Sequence, residues 1–247
     1  MNLDSIQIHL NSKYADSYNN NNKSDCQFNL PLIELPMQNY IYLSVQSATI
    51  PYTWYNIDST NNKLIYTLNG EYNYLEITKG NYNSIQLAIF LTNAMNGFVV
   101  SYSVITNKIT FTHSTYNFVI NNTSSCLGIL GFPNVELYQT SILNSLTSYT
   151  MMNLLNKSSI YIQSNLTTGN INNNKKSSGN ILCCIPISAA PYSLISYVNT
   201  NSFRSNLYVS NINNINIRIV DENNDLIDLN GCEFLITLQI DAVNFYE

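Results

Sequence analysis

Charge is what this 247-residue chain has least of: Lys, Arg, Asp and Glu together make up 10% of it, against about a quarter in soluble globular proteins. The formal net charge is −5 and the pI about 4.9, so a protein that grips phosphate backbones is excluded and no specific nucleic-acid partner is expected. Glycine is scarce as well, with eight residues in all, which leaves little material for a phosphate-cradling loop. There are two histidines, His9 and His113, with no second His, Cys or carboxylate at ligand spacing. Both read as surface or hydrogen-bonded strand histidines. Long apolar runs are missing too. The longest, Leu87 to Leu91 and Ile181 to Ile187, are far too short to span a bilayer, so no membrane span is expected. The opening MNLDSIQIHL lacks a basic segment and alternates apolar with polar, which predicts a strand and not a signal peptide.

No serine elbow and no His-x-Glu signature appears. The reading is therefore that the chain is no enzyme, with no catalytic, cofactor-binding or metal residues and no cofactor. A glycan hydrolase would need a pair of carboxylates across a cleft, and the sequence nominates none. Five cysteines, Cys26, Cys126, Cys183, Cys184 and Cys232, form an odd set without framework spacing, and free thiols in a reducing compartment are expected. Cys183 and Cys184 are adjacent, so a strand would point them to opposite faces.

What fills the vacancy is amide and phenol. Asparagine is roughly one residue in six, and tyrosine (19) outnumbers phenylalanine (9) and tryptophan (1). Apolar content of 45% is enough for a sizeable core. Low charge with many tyrosines suits a surface that other chains bury.

Strand patterns dominate. Ile6, Ile8 and Leu10 alternate with polar residues. In Tyr40 to Ile50, Ile41, Leu43 and Val45 share a face opposite Tyr42 and Ser44, and Pro51 should end the ladder. Asn69-Gly70 predicts a hairpin between Leu64–Leu68 and Tyr74–Thr78. One helix is predicted next, capped by Asn83 or Ser84, with Ile85, Ala88, Ile89, Thr92 and Met95 on one face and Gly97 as its stop. Further strands include Ile181–Ile187, Leu207–Val209, Ile215–Val220, Leu226–Leu229 and Phe234–Ile240. The polar stretch Thr167 to Asn180, with Lys175-Lys176, reads as a mobile loop.

Residues 1–57 and 136–247 supply enough strands for a two-sheet jelly roll. The helix and its flanking hairpins lie in 58–135. The expected fold is therefore all-β: a discontinuous single jelly roll of two antiparallel sheets with an inserted small β-rich lobe carrying one helix. Residues 1–23 read as an N-terminal arm reaching a neighbouring subunit or the interior of a larger assembly. The acidic group Asp221, Glu222, Asp225 and Asp228 reads as a solvated turn, with a calcium loop as the alternative it lacks the spacing for. Tyr52, Trp54 and Tyr55 could stack on sugars or pack beneath a neighbouring lobe or subunit.

Several segments, taken in order, resemble one family. LSVQSATIPYTWYNI (Leu43–Ile57), GNYNSIQLAIFLTNAMN (Gly80–Asn96), ITNKITFT (Ile105–Thr112), SSCLGILGF (Ser124–Phe132), NILCCIPIS (Asn180–Ser188) and DENNDLIDLNGCEFLITLQI (Asp221–Ile240) are similar to the minor capsid, or penton, proteins of virophages, Polinton-type elements and some giant DNA viruses. The Asn-rich composition and the shortness favour a virophage, of the Sputnik type. Cys183-Cys184 and the polar loop before them depart from the family pattern. The resemblance implies a structural capsid protein that forms a homopentamer at icosahedral vertices, beside a double-jelly-roll major capsid protein. It places the protein in the virion, assembled in the host cytoplasm, with the capsid interior as the other destination of the arm at residues 1–23. The alternative is a viral spike or glycan- or receptor-binding jelly-roll module.

Overall fold

Alternating apolar residues demand two faces, and the backbone supplies them as long antiparallel strands. The protein's computed structural model describes residues 4–19, 22–35, 39–132, 139–140, 142–155, 157–167 and 180–244. It divides into two units, Met1–Trp54 with Lys157–Glu247, and Tyr55–Asn156. The first unit opens with β1 (Asp4–Asn11), β2 (Ser17–Tyr18), β3 (Asp25–Glu34) and β4 (Asn39–Pro51). The second holds β5 (Lys63–Leu68), β6 (Glu71–Glu76), α1 (Ser84–Ala94), β7 (Phe98–Ser103), β8 (Lys108–His113), β9 (Phe118–Ile120), α2 (Leu127–Leu130), β10 (Gln139–Thr140) and β11 (Ser145–Thr147). The chain then completes the first unit with β12 (Ser159–Ser164), β13 (Ile181–Pro186), β14 (Leu194–Val198), β15 (Ser205–Asn206), β16 (Asn211–Val220) and β17 (Leu235–Asn244).

The first unit is an all-β jelly roll. One sheet runs β13-β12-β16-β3-β2; the other runs β1-β17-β4-β14, with β15 on the same strand β4. Their inner faces share an apolar core of which Leu43, Ile50, Ile162, Ile217, Leu238 and Ile240 are typical. On β4 the inward residues are Ile41, Leu43 and Val45, but further on Ala48 and Ile50. The parity changes because Thr237 pairs with Ser47 and Leu238 with Val45, leaving Gln46 as the extra residue of a bulge. Outside, β1 and β17 carry a polar ladder: Ser5 donates to Asp241 (2.5 Å), Gln7 to Gln239 (3.3 Å), and His9 Nδ1 lies 3.1 Å from Thr237 Oγ1.

Residues 4–19 are thus not an arm. β1 pairs with β17 from Asp4↔Ala242 to Asn11↔Leu235, and Ile8 and Leu10 are buried. The alternation that marks a strand also gives it a face to bury at home. Ser12 then ties the turn down, donating to Glu233 (2.8 Å) and accepting from the Phe234 N–H (2.9 Å). Lys175-Lys176 and the rest of 168–179 lie outside the described residues.

The second unit has its own core and two small sheets, β10-β9-β5-β6 and β11-β8-β7. Residues 142–155, which the sequence reading gave to the jelly roll, belong here, so this unit runs 55–156 rather than 58–135. The reason is pairing: Ser145–Thr147 lie against Thr110–Thr112, Met152 N–H donates to Asn107 O (2.8 Å), and Leu146 and Met152 are buried. Helix α1 starts with a full capping box, Asn83 and Gln86 each serving the other's backbone. It buries Leu87, Ala88 and Leu91, whereas Ile85 and Ile89 stand 54% and 55% exposed. The predicted face was therefore rotated, because apolar residues surround this helix and the periodicity alone selects no side.

Candidate functional site

The residues with the most chemistry are committed to local structure. The Asp221 carboxylate accepts the N–H groups of Asn223 (2.9 Å) and Asp225 (3.0 Å) and pairs with Lys157 Nζ at 3.2 Å. Asp228 accepts the Asn230 N–H at 2.8 Å, and Glu222 meets Ser158. These acidic side chains order a turn between β16 and β17. Among the described residues no three His, Cys, Asp or Glu side chains gather in a way that could hold a metal. His113 is buried, and its Nδ1 accepts the N–H groups of Thr115 (3.1 Å) and Tyr116 (2.9 Å). That places the ring proton on Nε2.

Tyr52 and Trp54 do not offer a sugar platform. They stack on each other with centroids 4.2 Å apart and an interplanar angle of 22°, and both are buried in the jelly-roll core. Burial pushes the Tyr52 phenol up. The neighbour they pack beneath is the unit's own core, and Tyr55 falls in the second unit.

The five cysteines are free. Desolvation raises the Cys26 and Cys126 thiols to about 12 and also pushes Cys183 up, which leaves these three unreactive. Cys183 is buried and its neighbour Cys184 exposed, as alternation on β13 requires.

Two features escaped the sequence reading. One is a half-buried polar chain on the β3–β16–β12 sheet: Arg218 donates to Asp25 (3.3 Å) and to Gln163 (3.1 Å), and Gln163 donates to Asn224 (2.6 Å). The signal for it was Arg218, the one charge among the outward positions of NINNINIRIV. The other is a groove. β13 is the edge of one sheet and β14 of the other. Where the two strands approach they enclose about 590 Å³, walled by Leu182, Cys184, Pro186, Tyr197, Val198 and Phe203, with no charged residue among the described residues of the lining. Burial, then the neighbouring Cys184, push the Tyr161 phenol up at its side. This uncharged concavity is suited to apolar packing and to backbone pairing along its two edges, not to proton transfer.

No family model matches the chain, and no curated protein does. Among solved structures it is similar to the mavirus penton protein, seen in a crystal structure of the selenomethionine-labelled chain. The TM-score is 0.55 and the identity 15%, over 97% of this chain and 99% of that one. At such an identity what the two chains share is the fold, carried over nearly the whole of both.

Proposed function

We propose that this chain is a structural capsid protein, a penton that closes icosahedral vertices as a homopentamer among copies of a double-jelly-roll major capsid protein. The observation that carries the reading is the end-to-end likeness of fold to a penton protein, without a long unmatched segment on either side. Two further points support it: the collinear order of the family-like segments, and carboxylates and a buried histidine already engaged in turns. The role is structural and not enzymatic, and its place is the virion, after assembly in the host cytoplasm. A virophage source agrees with the family resemblance and the fold likeness; the Sputnik type rests on composition and shortness alone. The test is electron microscopy of the purified protein. Five-membered rings are expected, and a chain that stays monomeric at high micromolar concentration overturns the reading.

A glycan- or receptor-binding module is the second reading. The observation that favours it is a pair of exposed tyrosines, Tyr72 and Tyr74, two residues apart on the edge strand β6. Selective binding on a glycan array, lost in Tyr72→Ala with Tyr74→Ala, would favour the module over the penton.

A further inference from the structure

We infer that the side of the jelly roll formed by β13 and β14 is the surface on which a second copy of this chain docks; this rests on the penton reading and names the contact it needs.

The backbone comes first. Ile187 N–H donates to Ser158 O (3.0 Å), so in the alternating antiparallel ladder Ile185 and Cys183 also face β12, and the N–H and C=O of Cys184 turn outward. Neither β13 (ILCCIP) nor β14 (LISYV) carries a charged residue. Charge is the usual means of keeping an edge from pairing with another chain. Here the edges of both sheets lack it on the same side.

The side chains agree. Val198 is 58% exposed, with Phe203 and Cys184 open in the same lining, and Leu194 at the other end of β14 is 64% exposed. The segment that adjoins β13 in sequence does not match the groove in chemistry. Residues 168–179, which lead into β13, contain one apolar side chain, Ile171, and two lysines. A second copy fits better. Each copy carries a net charge of −5, so two copies repel except where they meet through a surface without like charge, and the described lining of this groove has none. The opposite side of the sandwich differs, since there the end of β1 is tied to the loops before β3 and β17, Ser12 and Lys23 both bonding Glu233. Two unlike sides are what a closed ring requires, because its repeated contact joins different surfaces of neighbouring copies.

The experiment is sedimentation velocity on the full chain and on Val198→Asp, with alkylation of Cys184 followed by peptide mass spectrometry. Half-buried Cys232 serves as the internal reference. The expected result is a pentamer for the native chain and a monomer with unchanged far-ultraviolet dichroism for the variant. Cys184 alkylation should be about tenfold slower in the ring than after dilution below its dissociation range, as access governs the rate. Should Val198→Asp fail to fold, this comparison in the native chain decides alone. A variant that assembles like the native chain, or a Cys184 equally reactive in ring and monomer, overturns the surface and leaves the penton reading standing. Protection of Cys184 that appears only with the major capsid protein overturns the second copy as occupant. A native chain that remains monomeric overturns the penton reading and this contact with it.

Discussion

The two units bury apolar surface by different means. In the jelly roll, four strands of 10 to 13 residues line up apolar side chains along one face, Ile215, Ile217 and Ile219 of β16 among them, and pairing between residues far apart in sequence holds them. In the second unit the strands reach at most six residues, and turns do more of the work. Asn69, Gly70, Gly97, Asn107, Gly131, Leu143 and Asn144 all hold positive φ, and the core is aromatic, with Phe98 edge-on to Phe118 at 4.9 Å and to Tyr66 at 5.4 Å. Long strands tolerate local imperfection because register is fixed over many pairs. A unit of short strands depends on each corner having the right backbone.

That contrast can be broken. Phe111, fully buried in the second core, should cost about 4 kcal/mol when cut to alanine. Its loss should erase amide protection in β7 and β8. Trp54, the chain's single tryptophan, lies in the other core, so the transition seen by its fluorescence should stay in place; an equal shift there would show one cooperative body. Gly131→Ala comes next, at about 3 kcal/mol. Gly131 has φ +80, and an added Cβ would sit 2.4 Å from Thr150 O. Gly70, at φ +84 with nothing within 4 Å, should cost only about 1 kcal/mol for the same change. Urea titration of both variants sharpens the claim that the corners differ, and equal costs would refute it. Ile217→Val in the jelly roll should cost about 1 kcal/mol, read by Trp54 fluorescence.

The smallest effect concerns pH. The bond from Lys23 holds the Glu233 carboxyl below its ordinary 4.5. A depressed carboxylate stabilises the fold above its unfolded pKa and loses that contribution as pH falls through the folded one. The melting temperature should therefore drop on acidification below about pH 4.5 less steeply in Glu233→Gln than in the native chain. Parallel curves would dismiss the pair.

Much of this was legible. The Asn69-Gly70 corner, the cap at Asn83 and the alternation of Ile8 and Leu10 are written in residue types whose backbone preferences are local. Other segments misled because burial and ladder pairing are separate demands. Leu207 and Ile227 are buried as strand residues would be, yet residues 207–209 and 227–229 make no ladder, and Leu226 forms only a lone bridge to Val220. The weak pattern of 142–155 hid its pairing with β8, since three paired residues leave no period to read. The groove was beyond sequence reading altogether. It exists because two strands at the edges of different sheets face one opening, and neither ILCCIP nor LISYV announces which strand it will lie beside.

The extra residue at Gln46 has a consequence for how this chain can change over time. Because the bulge switches which side chains point inward, β4 is two half-strands of opposite phase joined at one amino acid. Losing Gln46 would turn one half over, sending Ile41, Leu43 and Val45 toward water or doing the same to Ala48 and Ile50. A change at an outward position such as Tyr42, which lies under the Arg204 guanidinium, costs only its own contacts, but the spacing from Val45 to Ala48 cannot change by one. An alignment scored on a strict period of two will misplace every residue beyond that point. Inheritance along β4 is best traced by counting from the bulge in both directions.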